Sequence, residues 1–199
     1  MKYLRFFFLS VAILGILACA KPPQAEIDAA NAALDEAKNA EAEIYAPDSL
    51  KAAQDAIAEM QAELDVQQGK FALFRSYEKA KELANSAKES AENAKNDAVA
   101  KKEQVKAEVE TMMGEMPNAL TETQNLMKKA PKGKGSKEDI AALQSDLDSV
   151  QPMIDEAKAA YDGGKFMEAK TKLEEAKAKC DSVKDAINQA IEMAKGKKM

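Results

Sequence analysis

Apolar residues recur along this chain at alternating intervals of three and four. Ile27, Ala30, Leu34, Ala37 and Ile44 make one stripe, which Glu41 breaks. Leu50, Ala53, Ile57, Met60 and Leu64 make a second. Tyr77, Ala80, Ala84, Ala87, Ala91, Ala94, Ala98, Val105 and Met112 make a third, with Lys101 and Glu108 as polar gaps. Ile140, Leu143, Leu147, Val150, Ile154, Ala157 and Tyr161 make a fourth, and Phe166 to Ala194 a fifth. Each is a heptad-like seam, the pattern of helices packed nearly parallel or antiparallel. The intervening positions are mostly Glu, Lys, Asp, Asn and Gln, and pairs such as Glu168 with Lys172 and Glu175 with Lys179 stand four apart, where opposite charges attract along a helix. No segment alternates with period two, so the pattern predicts no strands. The expected fold is all-α: elongated antiparallel helical hairpins in a coiled-coil-like bundle, built as two similar units.

Breakers divide the stripes. Pro47 in "YAPDSL" stands at a helix start, with Asp48 in the first turn, where the helix dipole favours an acid. "QQGKF" and "YDGGKF" put glycine just past a stripe, as helix C-termini prefer. "GEMPN" predicts an interruption at Gly114 and Pro117. "APKGKGSKED" reads as a loop, in which Ser136 and Asp139 resemble a capping box. Pro152 lies inside a stripe and predicts a kink. The resulting division is a leader over 1–18, a tether over 19–23, a first helical unit over 24–113, a helix and Lys/Gly loop linker over 114–136, a second hairpin over 137–195 and a basic tail over 196–199. A third helix over roughly 72–113 would extend about 60 Å at 1.5 Å per residue, long enough to protrude or pair with another copy. An internal repeat is also suggested: Tyr77 aligns with Phe166, Ala80 with Ala169, Ala87 with Ala176, and Ala94 with Val183.

The helical pattern begins only after Pro22 and Pro23. Ahead of them Phe6 to Ala18 are nearly all apolar, behind Lys2 and Arg5. A bilayer-crossing helix needs about 20 apolar residues, so this shorter run reads as a secretory signal peptide. Its last residues, Ile16-Leu17-Ala18-Cys19, resemble the lipobox of bacterial lipoproteins. That resemblance implies cleavage between Ala18 and Cys19, a diacylglycerol thioether on Cys19, and Cys19 as the mature N-terminus; the alternative is a core cysteine behind a plain signal peptide. A single acyl chain binds membranes only marginally, so the two or more chains of a lipidated cysteine suit a durable anchor. In the enterobacterial lipoproteins that the chain resembles, an Asp after the cysteine often retains the protein in the inner membrane, so Ala20 at that position implies the outer one, facing the periplasm. The stretches "AEIYAPDSLKAAQDAI" and "RSYEKAKELANSAKESAENA" then resemble, over about residues 25–100, a family of alanine-rich bacterial lipoproteins that carry domain of unknown function 4398. The family implies a helical envelope lipoprotein and no established chemistry.

Charge and composition narrow the function. Lys and Arg number 29 against 34 Asp and Glu, a net charge of −5. Removing residues 1–18 takes Lys2 and Arg5 and leaves 27 against 34, or −7. Such a chain gains no counterion-release affinity for nucleic acid. Histidine is absent, which removes most catalytic triads. With Cys19 acylated, Cys180 has no disulfide partner, and its place on a stripe reads as a small core hydrophobe, with a redox-sensing thiol as the alternative. Glu174 with Glu175 and Asp146 with Asp148 could be nominated as acid and base, but they lie off the stripes and read as a solvated face. No HExxH, CxxC or EF-hand spacing occurs, and "PKGKGSK" lacks the spacing of a phosphate loop. The expectation is no enzyme, no cofactor and no metal.

Two basic patches are candidates for contact with an anionic surface, either lipid headgroups or wall polymer. Lys128, Lys129, Lys132, Lys134 and Lys137 surround the central loop, and Lys195, Lys197 and Lys198 end the chain. The plainer alternative is a soluble linker and a helix C-terminus complementing its dipole. Met199 after Lys198 departs from the C-terminal lysine by which Braun-type lipoproteins join peptidoglycan. Phe71, Phe74 and Tyr77 concentrate aromatic content at one turn and are expected in the core, a partner-binding patch being the alternative. The expected function is structural or as an interaction module of the envelope, with the membrane, an envelope protein, peptidoglycan or another copy as partner. A tetratricopeptide-like adaptor gripping a peptide or helix in a groove is the competing reading.

Overall fold

A computed structural model of the protein describes residues 20–131 and 137–196. Among the described residues the fold is all-helical and contains no strand. The helices are α1 (Gln24–Asn39), α2 (Ala42–Tyr45), α3 (Pro47–Gly69), α4 (Glu78–Met127), α5 (Lys137–Asp148), α6 (Val150–Asp162) and α7 (Phe166–Gly196), with a 3-10 turn at Ala72–Phe74. The chain divides into two compact units, Met1–Lys101 and Lys102–Met199.

In the first unit α1, α3 and the start of α4 pack side by side. Two ion pairs, Lys81–Glu26 at 3.1 Å and Lys95–Glu36 at 2.8 Å, set α1 parallel to α4. Lys79–Glu63 at 3.2 Å and Ser49–Asp97 at 2.6 Å set α3 antiparallel to it. The seam is built from small residues: Ala80, Ala84, Ala87, Ala91, Ala94 and Ala98 of α4 are all fully buried. Ile27, Ala30, Met60, Leu64 and Tyr77 join that stripe, and Ala20 packs against the same cluster. Pro47 occupies the first helical position of α3, as its fixed φ favours. Glu41, at φ 61°, turns the chain between α1 and α2 in the left-handed region that a side chain adopts only with strain.

In the second unit the buried side chains grow larger. Val105, Val109, Met116 and Leu120 of α4 are buried, as are Leu147, Val150, Leu173, Val183 and Ile187 from the later helices. Lys170–Glu108 at 2.7 Å and Lys184–Glu122 at 3.7 Å lock α7 parallel to α4 at a constant offset (170 − 108 = 184 − 122 = 62). The α6–α7 turn is a Schellman closure: the Lys165 amide donates to the Ala160 carbonyl, the Gly164 amide to that of Tyr161, and Gly164 sits at φ +76°.

Three local expectations are corrected. The interruption at Gly114 and Pro117 does not occur, since α4 runs through both. Proline in a helix interior costs about 3 kcal/mol and glycine about 1. Met116, Leu120 and Met127 are buried beyond the break point, and each returns roughly 1.5–3 kcal/mol, so burial prevails. The break near Pro152 falls three residues upstream, at Ser149, whose backbone stays right-handed at φ −77° and ψ −13°. Pro152 thereby sits in the first turn of α6, where its missing N–H costs little. Finally, Lys172 and Lys179 do not take their predicted partners along α7. They reach across to Glu156 at 2.7 Å and Asp146 at 3.4 Å, because the neighbouring helices bring those carboxylates into range. The capping box expected at Ser136 lies outside the described residues.

Candidate interaction surface

The connection between α3 and α4 departs most from expectation. Phe71 and Phe74 are not in the core: they are 69% and 76% exposed, and Leu73 between them is 71% exposed. Only Tyr77 of the expected aromatic cluster is buried. Hydrophobicity favours burial where a facing surface exists, and among the described residues no helix covers residues 71–74 past the end of α3.

This loop is held in shape by its polar residues. Arg75 donates from Nε to the Lys70 carbonyl and from a terminal nitrogen to the Gln68 carbonyl, both at 2.9 Å. Those carbonyls belong to the end of α3 and its cap, groups that a helix terminus leaves without intrahelical donors. The buried Gln67 accepts from the Ser76 amide at 3.1 Å and donates to Glu63 at 2.6 Å. Hydrogen bonds from Gln67 and Lys79 hold the Glu63 carboxyl below its ordinary value. The Phe74 amide closes the 3-10 turn on the Phe71 carbonyl at 2.8 Å, and the two rings stand 6.3 Å apart. The loop therefore presents two aromatic rings and a leucine on a fixed backbone. Sequence reasoning missed Gln67 and Arg75, and the one signal for them was a connection longer than a tight turn needs.

The other candidates behave differently. Lys128 and Lys129 are exposed just past α4, and Lys128 donates to Asn125 at 3.0 Å. Lys195, in the last turn of α7, is paired with Glu192 at 2.8 Å. By the offset of 62 between α4 and α7, Lys128 is level with residue 190, so these lysines share one end of the second unit. Lys132, Lys134, Lys197 and Lys198 lie outside the described residues, as do Ala18 and Cys19. Cys180 is buried, and burial pushes its thiol up while Thr123 partly opposes the shift. Such a thiol is a poor nucleophile. Glu174 and Asp146 are exposed and lie beside Lys170 and Lys179, and Glu175 is exposed as well. Near the start of α7, Tyr161 donates to Glu110 and packs against Phe166 with ring centres 5.2 Å apart and planes tilted by 50°, while Lys102 and Lys106 each lie 6.0 Å from the centre of the Phe166 ring. Hydrogen bonding to Glu110 raises the Tyr161 phenol above its ordinary value.

Residues 25–110 match a family model described as a domain of unknown function, DUF4398. The DUF4398 region contains α1, α2, α3, the exposed loop and the whole alanine stripe; it ends in α4, leaving α5, α6 and α7 outside. No curated protein matches the chain, and no solved structure matches it.

Proposed function

We infer that this is a lipid-anchored helical protein of the bacterial envelope. Acylated Cys19 holds it to a membrane, the outer one in preference to the inner, and its helices face the periplasm. Its role is structural or as an interaction module, presenting helical surfaces to an envelope protein or to the wall. The observation that carries the reading is the apolar run ending in Ile16-Leu17-Ala18-Cys19 directly ahead of a packed fold. Ala20, the next residue, already packs against the core cluster of the first unit. Among the described residues no helix is long and apolar enough to cross a membrane, so attachment falls to the segment that precedes Ala20. The DUF4398 match agrees with this reading and names no chemistry.

Replacing Cys19 with Ser tests it. The variant loses metabolic labelling by fatty acid, and the fraction of it whose leader is still cleaved moves from the membrane to the soluble fraction of lysed cells. Undiminished labelling in Cys19→Ser would show that the acceptor lies elsewhere.

A further inference from the structure

The direction of the helices in the first unit places the exposed loop relative to the N-terminal end. Helix α1 starts beside Ala20 and runs parallel to α4, while α3 runs back antiparallel. The start of α1, the end of α3 and the start of α4 therefore share one end of this unit, and Leu64 and Tyr77 belong to the core cluster against which Ala20 packs. The α3–α4 loop caps that end. Phe71, Leu73 and Phe74 project from it, and Val66, one turn back on α3, is 55% exposed. Towards the opposite end the exposed large apolar side chains are Ile44 and Val99, neither of them aromatic. Among the described residues of this unit, exposed apolar surface, and all of its aromatic part, thus concentrates where the chain arrives from its N-terminal segment.

Charge is local to the loop itself: Lys70 and Arg75 bracket Phe71, Leu73 and Phe74 with no acid between them, the nearest acids being Asp65 in α3 and Glu78 at the start of α4. Aromatic and aliphatic side chains at a tip, bracketed by cations, match the layered chemistry of a bilayer surface: acyl chains below, headgroup phosphates above. The Arg75 and Gln67 hydrogen bonds fix the loop before any contact, so little ordering entropy opposes insertion.

We propose that the loop Lys70–Arg75 is a second membrane contact: Phe71, Leu73 and Phe74 enter the interface of the bilayer that holds Cys19, with Lys70 and Arg75 at the phosphates. The proposal rests on the anchored reading given above. Three side chains grip a membrane only weakly by themselves. An anchor attached next to Ala20 makes their insertion intramolecular, and the high effective concentration favours it. Two attachment points at one end hold the first unit with α1, α3 and α4 directed away from the surface.

The chain has no tryptophan, so Phe74→Trp provides a single reporter at a site whose exposure tolerates it. Ile44→Trp is the control at the far end. The full chain, purified from envelopes with the acylation it carries, is reconstituted into phosphatidylethanolamine/phosphatidylglycerol vesicles with and without acyl-chain-brominated lipid. The expected result is a blue-shifted emission for the Phe74→Trp protein and loss of its intensity on bromination, with the Ile44→Trp protein unchanged. Water-like, unquenched emission from Phe74→Trp in vesicles overturns the proposal. So does a blue shift seen in native envelopes but absent from pure lipid, which assigns the loop to a protein partner. A concentration-dependent shift without lipid overturns it in favour of a second copy. The mass of the N-terminal peptide, measured on the same preparation, separates the two readings. Acylated Cys19 with an unquenched loop indole refutes the loop contact alone, whereas a quenched loop indole on an unacylated chain supports the contact and refutes the anchor.

Discussion

The alanine stripe of α4 makes a prediction whose sign is not obvious. Ala87 is fully buried, within a cluster that includes Ile27, Ala30, Met60 and Leu64. Replacing it with Leu adds three carbons. Were there room for them, their transfer from water would contribute about 0.8 kcal/mol each, or roughly 2.4 kcal/mol of added stability. A stripe of six alanines without exposure means that the helices approach until methyl groups touch, and the added carbons must push α1 or α3 away. Movement of α1 is resisted by the Lys81–Glu26 and Lys95–Glu36 pairs, and movement of α3 by Ser49–Asp97. Overpacking of a tight core costs typically 1–3 kcal/mol net, so Ala87→Leu is expected to destabilise by about 2 kcal/mol. In a chain of this length that lowers the melting temperature by roughly 4–8 °C. Ala100→Leu, on the exposed face of the same helix, is the control and stays within about 0.5 kcal/mol of the parent. Thermal unfolding followed by circular dichroism reads both. An Ala87→Leu protein as stable as the parent, or more so, would refute close packing along this seam.

Gly164→Ala tests the α6–α7 turn: nothing lies within 4 Å of the added Cβ, so the loss of about 1 kcal/mol in a urea melt measures the positive φ alone. The ladder of the first unit predicts a pH profile. Glu26 and Glu36 are held below their ordinary value by hydrogen bonds from Lys81 and Lys95, whose own values are raised by the same contacts. The carboxylate contribution is present above the unfolded carboxyl value and lost as pH falls through the folded one; the ammonium contribution is lost only as pH rises past the lysines' raised values. Urea midpoints are therefore expected to drop modestly between neutral pH and about pH 3, with a smaller drop for Glu36→Gln and in molar salt, since these pairs are exposed. A drop of equal size in Glu36→Gln would assign it to other groups. Cys180 is expected to resist a thiol reagent in the native protein and to react at once in urea; fast native reaction would contradict its burial.

The parts of this fold that were legible in the sequence are those set by periodicity. The Tyr77–Ala98 stripe and most of its partners in α1 and α3 are buried as a period near 3.5 demands, because a helix can hide only one face; Ile57 is half-buried, and Ile44, read on the first stripe, is exposed because the chain turns at Glu41 before reaching it. Pro47 and Gly164 were legible because each acts locally, one through a fixed φ and the other through a positive one. Gly114 and Pro117 carry the same kind of signal and were overruled, since burial of Met116 and Leu120 outweighs a local cost. The candidate site was legible as a cluster of aromatics but not as a surface. Composition states what Phe71 and Phe74 prefer, whereas their exposure depends on where neighbouring helices end. Nor does any spacing announce that Arg75 will take two carbonyls at the end of α3.

The two glycine-marked hairpins sharpen that point. Three of their four aligned pairs are buried alike, Ala80 with Ala169, Ala87 with Ala176 and Ala94 with Val183, whereas Tyr77 is buried and its counterpart Phe166 only half-buried. Their connections differ. The second closes through Gly163, Gly164 and Lys165, whereas the first takes the eight residues 70–77. Three residues suffice to join two antiparallel helices of this kind, so five of the eight (8 − 3 = 5) exceed what closure requires. Leaving Phe71, Leu73 and Phe74 in water costs stability that polar residues would not, and Arg75 and Gln67 hold those side chains out rather than letting them collapse onto the bundle. A loop that is longer than folding needs, fixed by its own hydrogen bonds and apolar at its tip, is what the membrane contact proposed above requires.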